Sequence, residues 1–222
     1  MKIIARIHND FDSKFGIPRQ SNVVQELPGR IVFEPEYRNE AALRGIEGFD
    51  YLWLIWQFSQ AVRDKWSPTV RPPILGGNTR VGVFATRSPF RPNAIGLSSV
   101  KLEKVELHTP EGPVLHISGA DLMNGTPILD IKPYLAYVDS HPEATQGFRG
   151  QGWKRKLQVN FPSELLAKIP LEKQAGLLGV LENDPRPTYQ EDAQRIYGMS
   201  FGGQEIKFQV SEGTLQVVAI EG

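Results

Sequence analysis

The chain has 222 residues, 40% of them hydrophobic and 23% charged, the balance of a globular protein that can bury a core without covalent staples. It has no cysteine, which excludes disulfides, thiolate metal sites, iron–sulfur clusters and cysteine nucleophiles. Twenty-five basic and 25 acidic side chains cancel, so any surface for nucleic acid must be local rather than global.

In chain order, residues 2–8 and 30–33 read as strands and residues 39–44 as a short helical turn. Residues 51–58 (YLWLIWQF) form a continuous apolar run, which at that length suits a strand buried on both faces. A further strand is predicted over 81–85. After Ile95, Val100 and Leu102 share one parity while Val105 and Leu107 take the other, so a β-bulge is predicted near Glu103 and Lys104. Leu115 and Ile117 continue the alternation. Short strands between turn signals predict an all-β barrel or sandwich up to about residue 140.

Residues 141–152 (HPEATQGFRGQG) are polar and glycine-rich, as a linker would be. Beyond them Pro170 opens a helix with Leu171, Ala175, Leu178 and Leu181 on one stripe, halted at NDPRP (183–187). Ile206, Phe208 and Val210, a Ser211–Gly213 turn, then Leu215, Val217 and Ala219 predict a hairpin. The expected architecture is mainly β: a β domain, barrel or sandwich, over 1–140 and a small α+β domain over 153–222. No apolar run nears the ~18 residues needed to span a bilayer, and the amino terminus reaches charge quickly, so the expected compartment is the cytoplasm.

Several chemistries are missing from the sequence. No glycine-rich fingerprint opens a helix after a strand, no phosphate loop occurs, and no serine elbow is present. The four histidines are scattered without acidic companions at ligand spacing, so no metal is expected. What remains is clustered in loops. Residues 85–96 (ATRSPFRPNAIG) hold Arg87, Ser88, Arg91 and Asn93 between prolines that fix the backbone, and fixed guanidinium forks suit carboxylate or phosphate. Residues 121–134 (DLMNGTPILDIKPY) join a turn to an acid and a base on one side of an extended segment. FGIPRQ (15–20) and DPRPTY (184–189) are stiff, polar-tipped loops of the kind a β scaffold holds in place.

The strings GVFATRSPFRPNAIGLS (82–98), PRQ (18–20), DLMNGTPILDIKPY and DPRPTY resemble the TsaA-like, or TrmO, family along essentially the whole chain. That resemblance implies a tRNA methyltransferase acting on the exocyclic nitrogen of threonylcarbamoyl-adenosine beside the anticodon. It further implies an S-adenosylmethionine-binding β-barrel in place of the usual nucleotide-binding sheet, and a homodimer. Carried over by residue, it sets the cofactor against Pro18, Arg19 and Gln20, Ser59 and Gln60, Arg87, Leu97, and Asp121, Leu122, Met123 and Asn124. Ser59 stands where some relatives carry histidine, and Asn124 where others carry an acid.

Asp130, Lys132, Tyr134, Asp184, Arg186 and Tyr189, in the two polar loop strings, are the candidates for the catalytic work. Loss of the acceptor nitrogen's proton calls for a modest base, with Asp184, Asp130 and Tyr189 as candidates, or for a cation such as Lys132 or Arg91. A threonyl carboxylate suits Arg87, Arg91 or Arg186. Arg91 and Asn93 are expected at the substrate, and Arg149, Lys154, Arg155 and Lys156 on tRNA phosphates. Two other readings are a non-catalytic RNA- or nucleotide-binding module and a methyltransferase of the same family with a different acceptor.

Overall fold

A computed structural model describes residues 1–63, 65–148, 156–186 and 192–222. Its strands and helices are β1 (Ala5–His8), β2 (Pro28–Phe33), β3 (Tyr51–Gln57), β4 (Thr69–Val70), β5 (Val81–Gly82), β6 (Ile95–Glu106), β7 (Val114–Ser118), β8 (Pro127–Pro133), α1 (Ala136–Asp139), β9 (Gln158–Asn160), α2 (Ser163–Leu166), α3 (Leu171–Glu182), β10 (Tyr197–Phe201), β11 (Gln204–Ser211) and β12 (Thr214–Glu221).

Six strands close into an antiparallel barrel in the order β1-β2-β7-β6-β3-β8, with β8 returning to β1. Closure leaves no sheet edge to pair elsewhere. Alternate residues turn inward, so Ile7, Ile31, Leu52, Leu54, Val100, Leu115, Ile117 and Ile128 fill the interior. The register of β6 against β7 slips between Leu102 and Lys104, leaving Glu103 as the predicted bulge. Two strand predictions need correction. The run from Tyr51 alternates strictly: Leu52, Leu54 and Trp56 are buried, while Tyr51, Trp53, Ile55 and Gln57 stay half exposed on the barrel's outside. An apolar outer face on a barrel strand signals something laid against it. The 81–85 strand ends after Gly82, and Val83–Ala85 wind into a 3-10 turn with Val83 buried.

The second core lies under a four-stranded sheet, β10-β11-β12-β9, in which only β12 and β9 run parallel. Leu177, Val180, Leu181, Met199, Phe201, Ile206, Phe208, Leu215 and Val217 are buried there. The predicted hairpin forms, and a register shift at Lys207/Phe208 sets Ile220 opposite Ile206 and Ala219 opposite Lys207. The helical stripe also differs from its prediction. Leu171 is exposed, and the buried face is Gly176, Leu177, Val180 and Leu181. Two glycines explain the rotation, because they let α3 approach the chain between β1 and β2. A β-carbon at Gly179 would sit 2.6 Å from Val24 Cγ1, and one at Gly176 3.2 Å from the Glu26 carbonyl.

That approach couples the two halves. The β1–β2 connection leaves the barrel and contributes Phe11, Val24 and Leu27 to the second core, with Phe15, Ile17 and Val23 packed against it. At Gly16 φ is +94° and a β-carbon would lie 2.1 Å from Met199 Sδ, so only glycine fits. Lys173 Nζ reaches Asp10 at 2.6 Å across the same junction. Among the described residues no helix is long and apolar enough to cross a membrane.

Candidate functional site

The outer face of β3 and β6 floors a cavity of about 900 Å³. Trp53, paired in register with Ser99, and Leu97, paired with Ile55, point to this side. The rim comes from Pro18–Ser21 of the β1–β2 connection and from Thr86, Arg87, Arg91, Pro92 and Asn93 of the proline-stiffened loop. Asp121, at the start of the turn into β8, closes the floor and is, among the described lining residues, the one carboxylate beside three arginines, Arg19, Arg87 and Arg91.

Each part is fixed by a specific contact. Trp56 Nε1 donates to Ser98 Oγ at 3.0 Å, and Ser98 Oγ donates to Asp121 Oδ1 at 2.5 Å. Trp56 lies flat against Gly96, where a β-carbon would be 2.2 Å from the indole, and its ring centre is 4.2 Å from that of Phe58. Burial pushes the Asp121 carboxyl above the usual aspartate range, with the Ser98 hydrogen bond and the nearby Arg87 charge pulling against it. Trp53 is held from outside: its Nε1 donates to Asp139 Oδ2 at 2.9 Å and its ring tilts against Tyr134, centroids 5.4 Å apart. The Leu135 N–H, and then Trp53, hold the Asp139 carboxyl below its ordinary range.

On the rim, Arg87 Nη1 donates to Gln20 Oε1, joining the two loops. Arg91 Nη1 donates to the Thr86 and Ser88 carbonyls at 3.0 and 3.4 Å, which curls its loop around the guanidinium. Arg19 Nη2 donates to the Arg186 carbonyl at 3.2 Å. Arg186 itself is buried, its Nε and Nη2 at 2.8 and 2.9 Å from the two oxygens of Asp184. The Asp184 hydrogen bond, ahead of its charge, holds the Arg186 guanidinium above its ordinary range. Asp184 has φ +51°, a conformation that turns the chain sharply off the end of α3.

A second cavity, also about 900 Å³, adjoins the first. Pro18, Arg19, Gln20, Phe84, Thr86 and Arg87 line both, so Arg87 and its neighbours form the wall between them. Its far side is built from His141–Gln146 and from Asn183 and Asp184 at the end of α3.

Of the residues expected at the cofactor, Pro18, Arg19, Gln20, Arg87, Leu97 and Asp121 line the first cavity, as do Arg91 and Asn93. Ser59 and Gln60 sit in the exposed turn after β3 and are not among the described lining residues, which include their neighbour Phe58. Leu122 points into the barrel core. Met123 supplies a carbonyl to Thr126, and Asn124 bridges back to Asn9 and Asp12. Those three build the turn that presents Asp121. Asp130 and Lys132 pair with each other at 3.0 Å on the same outer face, one strand beyond Trp53. Lys156 is exposed and paired with Glu182 at 2.9 Å. Arg149, Lys154, Arg155 and Tyr189 lie outside the described residues. Trp53, Trp56 and Phe58 were missed as site residues; the apolar outer face of β3 was the signal for Trp53 alone.

Two family models match the chain: the tRNA-methyltransferase O N-terminal domain over residues 6–140 and the TrmO C-terminal domain over residues 154–222. A tRNA (adenine(37)-N6)-methyltransferase of Escherichia coli (strain K12) is 37% identical, covering 98% of this chain and 96% of the relative. One of Eikenella corrodens is 43% identical over 78% of this chain and 99% of its own length. A crystal structure titled as TrmO superposes with a TM-score of 0.79 at 30% identity, covering 99% of this chain and 97% of that one.

Proposed function

The chain belongs to the tRNA-methyltransferase O family and is an S-adenosylmethionine-dependent tRNA (adenine 37) N6-methyltransferase; from that premise we propose that its acceptor is the threonylcarbamoyl form of that adenine, its working form a homodimer and its compartment the cytoplasm. The observation that carries this reading is a cavity in which three arginines face the partly buried Asp121 carboxylate beside aromatic rings.

S-adenosylmethionine supplies, when bound, a methyl group on a positively charged sulfur. The residues present fit such a molecule, which combines a flat base, a carboxylate and cationic groups. Trp53 and Phe58 offer ring faces, Arg19 and Arg87 offer forks for the carboxylate, and Asp121 offers the compensating negative charge. A carboxylate kept in a half-buried site against its own solvation preference gains most from a cation brought beside it. Most of the acceleration comes from holding donor and acceptor in line, so a rim locked by the Arg87–Gln20 and Arg91 contacts supports the assignment.

In the proposed arrangement the acceptor nucleoside enters from the second cavity, and Arg87 in the shared wall, with Arg91, meets the threonyl carboxylate. Arg186 does not serve there, because its Nε and Nη2 both donate to Asp184 and its guanidinium lies over the Tyr197 ring, and the same pairing occupies Asp184 as a base. The N6 proton then passes to Asp130, with Lys132 beside it to steady negative charge; a carbonyl-bearing nitrogen needs only a weak base. Asp130→Asn should therefore lower kcat while leaving affinity for S-adenosylmethionine unchanged.

Incubation with tRNA carrying or lacking the threonylcarbamoyl group, followed by nucleoside mass analysis, tests the acceptor. One added methyl on the modified nucleoside alone is expected; equal methylation of plain adenosine would overturn the proposed acceptor. Light scattering should return twice the 24.9 kDa chain mass.

A further inference from the structure

Residues 62–91 form an arm that leaves the barrel after β3, folds back through the small β4–β5 ladder and returns at the cavity rim. In a chain of zero net charge this segment carries six basic side chains, Arg63, Lys65, Arg71, Arg80, Arg87 and Arg91, against one acid, Asp64. Among the described residues none of the six is in an ion pair, whereas Lys2, Arg6, Arg30, Lys101 and Lys104 elsewhere on the barrel each lie within 3.5 Å of a carboxylate. Among the described residues the arm's cations make no ion pair within 4 Å, Arg87 sensing Asp121 only at longer range, while those of the barrel are cancelled in place.

The same segment exposes its large rings. Phe84 is 72% exposed, Trp66 52% and Phe90 39%, proportions that cost hydrophobic free energy in water. Trp66 and Phe84 stack on each other with centroids 6.0 Å apart and planes at 29°. The Arg63 guanidinium lies 3.8 Å above the Phe90 ring. Phe84 also lines the cavity and Phe90 precedes Arg91 in its rim, so the two stacked pairs continue the site outward.

We propose that this arm is the platform that grips the unpaired nucleotides flanking the target adenine, their bases stacked on Trp66, Phe84 and the Arg63–Phe90 pair and their phosphates on Arg71 and Arg80. The inference rests on the tRNA methyltransferase reading and assigns an RNA contact to residues other than the basic run that ends at Lys156. Exposed rings interleaved with free cations suit single-stranded nucleic acid, where every base has a face to stack and each phosphate a charge to neutralise. Paired RNA hides those faces. A second copy of the chain suits the patch less well, because a two-fold contact would set the same cluster of basic side chains against itself.

The test uses a labelled anticodon stem-loop RNA and a fully paired RNA of equal length, with binding read by fluorescence anisotropy in the full-length protein. Trp66→Ala combined with Phe90→Ala should weaken stem-loop binding about 10- to 100-fold, the value of stacking one or two bases, and leave binding of the paired RNA within twofold. Arg71→Ala combined with Arg80→Ala, a solvent-exposed pair that keeps the test valid if the first variant misfolds, should reduce the slope of log K against log salt by about 1.4. Affinity for S-adenosylmethionine, measured by calorimetry, should stay within twofold in both. Unchanged stem-loop binding in both variants would overturn the proposal, as would loss of the dimer by light scattering with per-chain RNA affinity retained, which would make the arm a subunit contact. Failure of the underlying reading is distinct: the wild-type protein would then neither bind S-adenosylmethionine nor methylate tRNA, whatever the arm variants do.

Discussion

The floor and the rim of the cavity are built by opposite means. The floor belongs to the barrel: Trp56, Ser98 and Asp121 form a hydrogen-bonded chain whose members are packed on β3, β6 and the turn into β8. The rim belongs to loops, and its arginines are held by carbonyls and by one glutamine rather than by packing. A buried floor can carry only a few polar groups, each satisfied, whereas a loop rim can carry many charges because water solvates them until a ligand arrives. The division assigns shape to the floor and charge recognition to the rim. It also assigns the rim a second anchor, since the connection bearing Arg19 and Gln20 is rooted in the other core through Phe11, Val24 and Leu27.

That anchor is the place to break the comparison hardest. Arg186→Ala leaves Asp184 buried without its partner, and losses of this kind cost about 3–5 kcal/mol. Thermal unfolding of the variant should show the second domain melting first, and cofactor affinity should fall with it because Arg19 donates to the Arg186 carbonyl. Intact cofactor binding in a destabilised protein would show that the rim stands without its second root. A smaller effect is expected at the rim itself. Arg87→Ala removes a charged hydrogen-bond donor shared by both cavities, so kcat/KM should drop about 10- to 100-fold at unchanged melting temperature.

What the sequence revealed divides along the same line. The barrel interior and its bulge at Glu103 were legible because a period of two leaves a parity record, and the rim was legible because prolines flank Arg87 and Arg91. The floor was not. Trp53, Trp56 and Phe58 read as ordinary core in an apolar run, and only the closed barrel, which turns Trp53 outward and Trp56 inward, separates their roles. Asp121 looked like one turn residue among several; its place as the one carboxylate among the described lining residues of the cavity is a property of three dimensions. The face of α3 was misjudged because Leu171 and Ala175 outweighed two glycines, and it was the glycines that met another part of the chain. Apolar residues crowded into the β1–β2 connection, from Phe11 to Leu27, were the available sign that this loop is buried.

Asp121 offers the finest test of the floor. Its carboxyl is raised by burial, so the folded state prefers it neutral and the unfolded state ionises it first. A group shifted in this direction adds stability below its unfolded range and loses it as the pH climbs through the folded value. At neutral pH the ionised carboxylate therefore opposes folding. Asp121→Asn keeps an oxygen to accept from Ser98 and removes the charge, so the variant should melt a few degrees higher than the wild type at pH 7–8, with the gap closing towards pH 4. The same change should weaken S-adenosylmethionine binding, because the negative charge that costs stability in the free protein is the one that meets the cationic end of the donor. A melting difference independent of pH would mean that the carboxylate is no burden to the fold. A stabilised variant that still binds the donor with full affinity would show that the rim arginines alone supply recognition, and the division between floor and rim would need to be redrawn.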